Sequence, residues 1–500
     1  MPRQKQLPEF VAALDLGSNS FHMIVARIQD GQLHIVDRMR EMLRLADGID
    51  ENRAIRPDVK QKALDCLERF GQRLNELPQG MVRAVGTNTL RNTSNAKEFL
   101  IEAEQALGHP IDIIAGIEEA RLIYLGVSHS LATNVDKRLV MDIGGSSTEL
   151  IVGESFSPAY MESMEMGCVT MTQNFFGDGK ITAGNIKKAL LRARIELEPH
   201  LSTYRKWGWQ QAIGASGTIR SVRTVVNKAG WCKGGISHDA LKRLLETLQA
   251  CGKISDIKLD GLSAERIPVF IGGVIILCAA FEALGIEQMS VSDGALREGL
   301  LYDLLGRLQH EDVRNQSVEH LTRRYHVDSA HAERVRQCAQ TCFQQVSTTW
   351  GFNDEEESQW LNWAATLHEI GLTIAHSRHH QHAAYILENS DLAGFTQHEQ
   401  KILATLVRAH RRKFPTKSFK DLSKPWQRHG KELAILLRLS CILNRGRSAT
   451  ALVPFQLAAN EQHLHIKFPD GWLNDHPLTQ GDLEEEAKYL EAAGYLLSFE

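Results

Sequence analysis

Two stretches of this sequence carry the same arrangement of residues able to hold phosphate. Asp15-Leu16-Gly17-Ser18-Asn19-Ser20 and Asp142-Ile143-Gly144-Gly145-Ser146-Ser147-Thr148 each set a carboxylate, one or two glycines and a run of small polar residues directly after an apolar segment. Phosphate oxygens need dense donors, and small residues let backbone N–H groups come close to them. Ser18, Asn19, Ser20, Ser147 and Thr148 add side-chain donors, while Gly144, Gly145 and Ser146 keep the second turn open. Asp15 and Asp142 fall at strand ends, where a carboxylate can hold Mg²⁺ or its waters. One such turn is more often an ordinary hairpin; its recurrence 127 residues later is what points to a paired phosphate site. A third turn, Gly214-Ala215-Ser216-Gly217-Thr218, also follows an apolar strand and offers Gly214, Ser216, Gly217 and Thr218, although alone it is a weaker signal. No strand–GxxxxGK[ST]–helix loop occurs. Asp142 and Glu149 are the candidates for a cation bridging phosphate oxygens, Mg²⁺ or another divalent ion. Arg91 can stabilise a transferred phosphoryl group through a bidentate contact.

The elements that must position these residues follow from apolar periodicity. Phe10–Leu16 with Phe21–Ile28, and Leu139–Ile143 with Glu149–Val152, read as hairpins with glycine- and hydroxyl-rich turns. Between them lie a helix over 57–77, a strand over 81–85, a helix over 96–107, a strand over 111–114 and a helix from 117. A helix over 183–201, a strand over 211–213, helices near 218–228 and 238–251 and a strand-turn over 289–295 follow the second copy. Alternation of strands and helices makes the class α/β with mixed sheets. Beyond residue 307 the pattern is helical, over 314–324, 329–349, 357–374 and 398–412, with 15 of the 21 histidines in this part. A hairpin near 455–468 and a helix near 480–493 close the chain. The expected domains are therefore 1–124, 125–306, 307–446 and 447–500.

Composition narrows the class. With 500 residues, 43% hydrophobic, the chain can bury several cores, and its net charge of −4 gives no whole-chain basic excess of the kind nucleic-acid binders carry. Eight scattered cysteines, none in a C-x-x-C pair, suit a reduced compartment. The longest apolar run, Ile267–Phe281, is too short for a span and reads as a buried helix. A cytoplasmic location is expected, with peripheral contact at the inner face of the membrane left open.

The duplicated hairpins resemble those of actin-like (ribonuclease H-like) ATPase-type domains. An ordered set of further motifs is more specific: Val85 to Arg91, Ala115 to Tyr124, Met166 to Val169, Gly214 to Ile219 and Ser292 to Gly299. Together these closely resemble the exopolyphosphatase and guanosine pentaphosphate phosphohydrolase family over about residues 10–305. The segments Leu367 to Leu372, Ala384 to Leu392 and Ala404 to Arg408 resemble the long, four-domain bacterial exopolyphosphatases, whose third domain is an all-helical HD-like fold followed by a small α+β tail. Ser146 departs from the third glycine usual in exopolyphosphatases; the nucleotide branch tolerates a small residue there.

The resemblance implies that Glu119 is the general base orienting and deprotonating water, a role that hydrolysis of a phosphoanhydride requires of some acceptor in reach. Read from the residues alone, Glu118-Glu119 would be first-turn helix charge, and Glu118 is expected to be structural. Asp293, Arg297 and Glu298 fit the family and can hold the turn they sit in. His368-Glu369 stands where HD chemistry needs a His-Asp pair, so the neighbouring His376, His379, His380, His382 and His410 are read as part of a non-catalytic domain. The expected activity is processive release of orthophosphate from the ends of inorganic polyphosphate. The alternative is hydrolysis of guanosine pentaphosphate to the tetraphosphate, and a lesser one an actin-like nucleotide-binding protein. A homodimer is implied, and no nucleic-acid partner.

One further expectation belongs to this chain in particular. Arg408–Lys431 holds nine basic residues, among them Arg408, Arg411, Arg412, Lys413, Lys417 and Lys420, against Asp421 alone. Such a segment could track a polyanion by counterion release.

Overall fold

The computed structural model describes residues 8–29, 32–131, 137–308, 312–352, 355–448 and 453–500. The chain forms two compact units, Met1–Asp312 and Val313–Glu500.

The first unit contains the same sheet twice. In its first half β1 (Phe10–Leu16), β2 (Ser20–Gln29) and β3 (Gln32–Met42) are antiparallel, and β4 (Val82–Gly86) and β5 (Ile111–Ile113) continue in parallel, in the order β3-β2-β1-β4-β5. Helices α1 (Pro57–Leu74), α2 (Asn88–Asn92), α3 (Ala96–Leu107) and α4 (Gly116–His129) complete it. The second half has β6 (Lys137–Ile143), β7 (Thr148–Glu154) and β8 (Ser157–Met164), then α5 (Cys168–Phe176), α6 (Ala183–Trp207), β9 (Gln211–Ala215), α7 (Ser216–Lys228), β10 (Ile236–Ser237), α8 (His238–Cys251), α9 (Ile267–Leu284), β11 (Gln288–Val291) and α10 (Leu296–Leu308). Its order is β10-β11-β9-β6-β7-β8, with β9 parallel to β6 and β11 parallel to β9. Apart from the short β10, strand order and direction repeat those of the first half.

The uninterrupted apolar reading of β1 follows from burial on both faces. Ala12, Leu14 and Leu16 face a core with Val59, Ala63, Phe70 and Leu74 of α1, spaced along one helical stripe. Val11 and Ala13 face a second core with Ala120, Ile123 and Val127 of α4, Leu300 and Leu304 of α10, and Val140 and Ile151 of the other sheet. Here α4 and α10 cross between the halves. Their backbones meet through glycine: a Cβ at Gly126 would lie 2.0 Å from the Ala295 carbonyl oxygen, and one at Gly299 would lie 1.9 Å from that of Leu122. The same pair of helices is tied by a buried ion network. Arg121 donates two 2.8 Å hydrogen bonds to Glu118 and one of 2.5 Å to Asp303, which also accepts from Arg307 at 2.9 Å. The helix over Ile267–Leu284 runs three residues past the apolar stretch read from sequence. Among the described residues it is the one helix long and apolar enough to cross a bilayer, yet 72% of it is buried in the core.

The second unit packs α11 (Val313–Arg324), α12 (Ser329–Trp350), α13 (Glu356–Leu367), α14 (His379–Asn389), α15 (Gln397–Ala409), α16 (Thr416–Lys420) and α17 (Lys424–Leu443) with a three-stranded sheet, β12 (Gln456–Ala459), β13 (His463–Lys467) and β14 (Leu496–Phe499), and the helices α18 (Trp472–Asp475) and α19 (Pro477–Glu491). Two expected boundaries need correction. The division at 124/125 falls inside α4, whose periodicity continues to His129. The tail from 447 has no core of its own: Leu457, Leu464, Ile466, Leu483 and Leu490 join the cluster formed by α12, α13, α15 and α17. A hairpin and one helix expose too much surface to stand alone. The buried Arg438–Glu486 pair, at 2.5 Å, pins α19 to α17.

Candidate active site

The two hairpin turns open onto one cleft of about 530 Å³ in the first unit. Strand register explains which side chains reach it. In antiparallel pairing Asp15 stands opposite His22, and Asp142 opposite Glu149, at the same place in the two copies. All four line the cleft. Neighbouring backbone occupies carbonyls of both turns. The amides of Leu43 and Arg44 donate to Asn19 and that of Ala46 to Ser18, while those of Cys168 and Val169 donate to Gly144 and Gly145. With those acceptors engaged, and with the Gly144 amide donating to the Ser147 carbonyl at 2.9 Å, the other turn amides can meet an anion. Gly167 makes the second arrangement possible, since a Cβ there would lie 2.3 Å from the Gly145 backbone. Ser18, Asn19, Ser20, Gly144, Gly145 and Ser147 all line the cleft.

The third turn joins them through Ser216, Gly217 and Thr218. Ser216 is held at φ 81°, a conformation costly for a residue with a side chain, and its Oγ accepts from the Ile219 amide. Strain of this kind is typically kept where a site needs it.

Four carboxylates converge here: Asp15, Glu119, Asp142 and Glu149. Burial pushes Asp15 up to about 6. Burial, with Glu149 adding repulsion, pushes Asp142 up to about 7. The same two causes raise Glu119 well above the usual carboxylate range. Glu149 is raised by burial, against hydrogen bonds from Ser163 and Ser147. Glu119 sits in the first turn of α4, and Arg91 is 3.4 Å from its Oε2. Buried, oxygen-only donors that repel one another and remain raised despite the nearby arginines fit a hard divalent cation such as Mg²⁺.

Facing this acidic group is a set of arginines, Arg38, Arg40, Arg220, Arg266 and Arg297. Burial pulls Arg220 down, with Arg297 adding repulsion, and burial likewise pulls Arg266 down. His22 is pushed down to about 2 by burial and then by Arg297, so it is neutral. It lies 2.7 Å from Arg297 Nη1 and 2.8 Å from Ser20 Oγ. Crowded cations of this sort suit a polyanion. Of the five, sequence reasoning named only Arg297, as a residue of its turn. A signal for Arg220 was present: Gly217, Arg220, Ser221 and Thr224 lie at i, i+3, i+4 and i+7 on α7, one face of a helix, and all line the cleft. Arg38 and Arg40 lie on the unforeseen β3, and Arg266 just before α9, where no motif marks them.

Four expected site residues do not line the cleft: Arg91, Ser146, Thr148 and Gly214. Arg91 lies 3.4 Å from Glu119 and donates at 2.5 Å to the Ile114 carbonyl, so it fixes the start of α4 and the Glu119 carboxylate. Thr148 is fully buried and donates to the Met166 carbonyl at 2.5 Å. Strand alternation sends Ser147 and Glu149 one way and Thr148 the other. Gly214 makes room for Ile219 and Met289. Glu118 is held in the Arg121–Asp303 network, and Glu298 accepts from the Ala295 amide at 2.9 Å, capping its own turn.

In the second unit, Arg408, Arg412, Lys413, Lys417 and Lys420 are exposed, whereas Arg411 turns inward and hydrogen-bonds His379 at 2.8 Å. The basic segment is therefore interrupted at Arg411. His368, His379, His380 and His410 are buried.

A duplicated sheet with two phosphate-type turns, a buried carboxylate beside an arginine and a cationic wall defines a hydrolase of phosphoanhydride bonds on the actin-like fold. Comparison with known proteins makes this specific. Residues 24–308 match the Ppx/GppA phosphatase family and residues 313–487 match Ppx/GppA phosphatase, domain III; the chain belongs to this family. It is 40% identical over 484 residues to a guanosine-5'-triphosphate,3'-diphosphate pyrophosphatase of Aeromonas hydrophila, covering 97% of each chain. Its counterpart in Vibrio cholerae is 40% identical over 489 residues, 98% of each chain. Among solved structures, the Aquifex aeolicus PPX-GPPA enzyme is 25% identical with a TM-score of 0.51, covering 58% of this chain and 98% of that one. An exopolyphosphatase from Cytophaga hutchinsonii is 23% identical with a TM-score of 0.55, covering 60% and 98%, and shares the fold.

Proposed function

We propose that this chain hydrolyses the terminal 5′ phosphoanhydride bond of guanosine 5′-triphosphate 3′-diphosphate, giving the tetraphosphate and orthophosphate. This replaces polyphosphate, the first expectation from sequence, as the preferred substrate. The observation that carries the reading is that two sets of anion-binding groups share one cleft: three small-residue turns, and five arginines, of which Arg220, Arg266 and Arg297 reach the carboxylates and the third turn. A linear chain of phosphates needs the first set at its reacting end. A nucleotide with two phosphate arms gives both sets a charge to hold. The full-length likeness to guanosine pentaphosphate pyrophosphatases supports the same choice.

In this mechanism the turn amides, with Ser18, Ser20 and Ser147, grip the 5′ phosphates and hold the terminal phosphorus in line with a water at Glu119. The raised pKa of Glu119 makes it a stronger base than an exposed carboxylate, and Arg91 keeps its Oε2 in place. Asp142, Glu149 and Asp15 are the residues that would hold Mg²⁺, which supplies charge neutralisation on the phosphoryl oxygens. Arg220, Arg266 and Arg297 bind the remaining phosphate charge. Polyphosphate would be a second, poorer substrate of the cleft, and the exposed Arg408, Arg412, Lys413, Lys417 and Lys420 would form a separate polyanion-binding surface on the second unit.

Initial rates of orthophosphate release from guanosine pentaphosphate, long-chain polyphosphate and ATP, with the nucleotide product resolved by anion exchange, test the proposal. The highest kcat/KM is expected for the pentaphosphate. A higher value for polyphosphate would return the assignment to an exopolyphosphatase.

A further inference from the structure

The second unit contains a pocket of about 350 Å³ lined by His331, His368, Glu369, His379 and His410. We propose that His331, His368 and Glu369 form a binding site for a transition-series divalent cation such as Zn²⁺, Mn²⁺ or Co²⁺. One ligand atom from each of the three lies within 4.8 Å of the others. His331 comes from the first turn of α12, and His368 and Glu369 follow the last turn of α13, so two helix ends converge. Two imidazoles and one carboxylate suit these cations better than Mg²⁺ or Ca²⁺, which prefer oxygen alone.

The surroundings prepare the ligands. His368 Nδ1 is 2.7 Å from the Ala365 carbonyl, to which it must donate. That contact fixes the tautomer and leaves Nε2 with its lone pair, the arrangement that commonly orients a metal-bound histidine. His331 is 4% exposed, and its Nδ1 has no hydrogen-bond partner. Its Nε2 lies 4.0 Å from Glu369 Oε1, too far for a hydrogen bond and near enough to share an ion after a small closing movement. Burial lowers the pKa of both imidazoles, so they are neutral, the form that binds metal. Glu369 Oε1 also accepts from Arg447 at 2.5 Å. A carboxylate has about four lone-pair positions, so that contact orients the group without filling it. The remaining pocket wall, with His379, His410, Arg411 and Arg445, leaves one side of the ion open to a water or an anionic ligand. This site concerns the second unit alone and does not rest on the substrate assigned to the cleft.

The test uses the full chain, stripped with chelator and dialysed against Co²⁺, with bound metal and visible absorption both recorded. One equivalent of Co²⁺ with the bands of imidazole ligation is expected, displaced by Zn²⁺ and retained in an Asp142→Asn variant of the cleft. Affinity should fall at least about tenfold in His368→Ala. Glu369→Gln, which preserves volume and can still accept from Arg447, should show the same loss and guards against misfolding of the alanine variant. The proposal is overturned if the stripped protein takes up no imidazole-bound Co²⁺. It is equally overturned if a folded Glu369→Gln binds as the wild type does, or if Asp142→Asn abolishes the signal.

Discussion

Replacing Glu119 with glutamine separates catalysis from stability, because its neighbour Glu118 has the opposite design. Glu119 is 8% exposed and accepts a long hydrogen bond from Arg91 at 3.4 Å, while burial and then repulsion from Glu149 disfavour its charge. Glutamine keeps the volume and an acceptor for Arg91 but cannot take a proton from water. Loss of a general base lowers turnover by about 10²- to 10⁴-fold. At about 1.36 kcal/mol per tenfold this adds roughly 2.7 to 5.4 kcal/mol to the barrier. KM should not rise, since a negative charge is removed from beside the phosphates. The melting temperature should stay level or increase, because folding no longer buries that carboxylate. Glu118 is 2% exposed and bound twice by Arg121. Glu118→Ala leaves Arg121 and Asp303 imperfectly paired in the core and should cost about 3–5 kcal/mol of stability, while kcat of the folded fraction changes little. Single-turnover phosphate release and thermal melts on both variants provide the assay. The reasoning fails if Glu119→Gln keeps more than about a tenth of wild-type kcat, or loses activity only in step with unfolding.

Three other outcomes follow from the site. The folded pKa of Asp142, about 7 against an ordinary 3.8, means its contribution to stability is full below 3.8 and lost as pH rises through about 7; a bound cation reverses this, so the Mg²⁺-induced rise in melting temperature should be larger at about pH 8 than at about pH 5, and equal shifts would remove Asp142 from the cation site. Thr148→Val should lower stability by about 1–3 kcal/mol through the orphaned Met166 carbonyl and leave KM unchanged; a raised KM in a stable variant would restore Thr148 as a phosphate ligand. Gly167→Ala should displace the Gly144–Gly145 turn and raise KM along with a lowered melting temperature, and an unchanged KM would show that the turn does not bind substrate.

What the sequence disclosed was local. The two turns could be read because glycine, hydroxyl and carboxylate at fixed spacing after an apolar strand is a pattern within a few residues, and the structure puts Asp15, Asp142, Glu119 and Glu149 together around one cleft. Helices such as Ala96–Leu107 and His238–Cys251 were bounded correctly by their apolar stripe and by glycine at their C-terminal ends. The strands β3 and β8 escaped notice because each lies at a sheet edge with half-exposed, charged residues among its apolar ones. With β3 went Arg38 and Arg40. Arg266 packs over Gly217 from another part of the chain, a contact that no periodicity encodes. That Thr148 turns away from the cleft was not legible for a different reason: composition cannot say which face of a strand a residue takes until the register is known. His331 likewise becomes a partner of His368 only when α12 and α13 are packed.

The central claim is that water held at Glu119 attacks the terminal phosphorus of the 5′ chain. Hydrolysis of guanosine pentaphosphate in ¹⁸O-labelled water, followed by mass spectrometry of both products, tests it most directly. The account predicts orthophosphate carrying one ¹⁸O from solvent per turnover and tetraphosphate carrying none. Label in the nucleotide, or pyrophosphate as the released product, would contradict it.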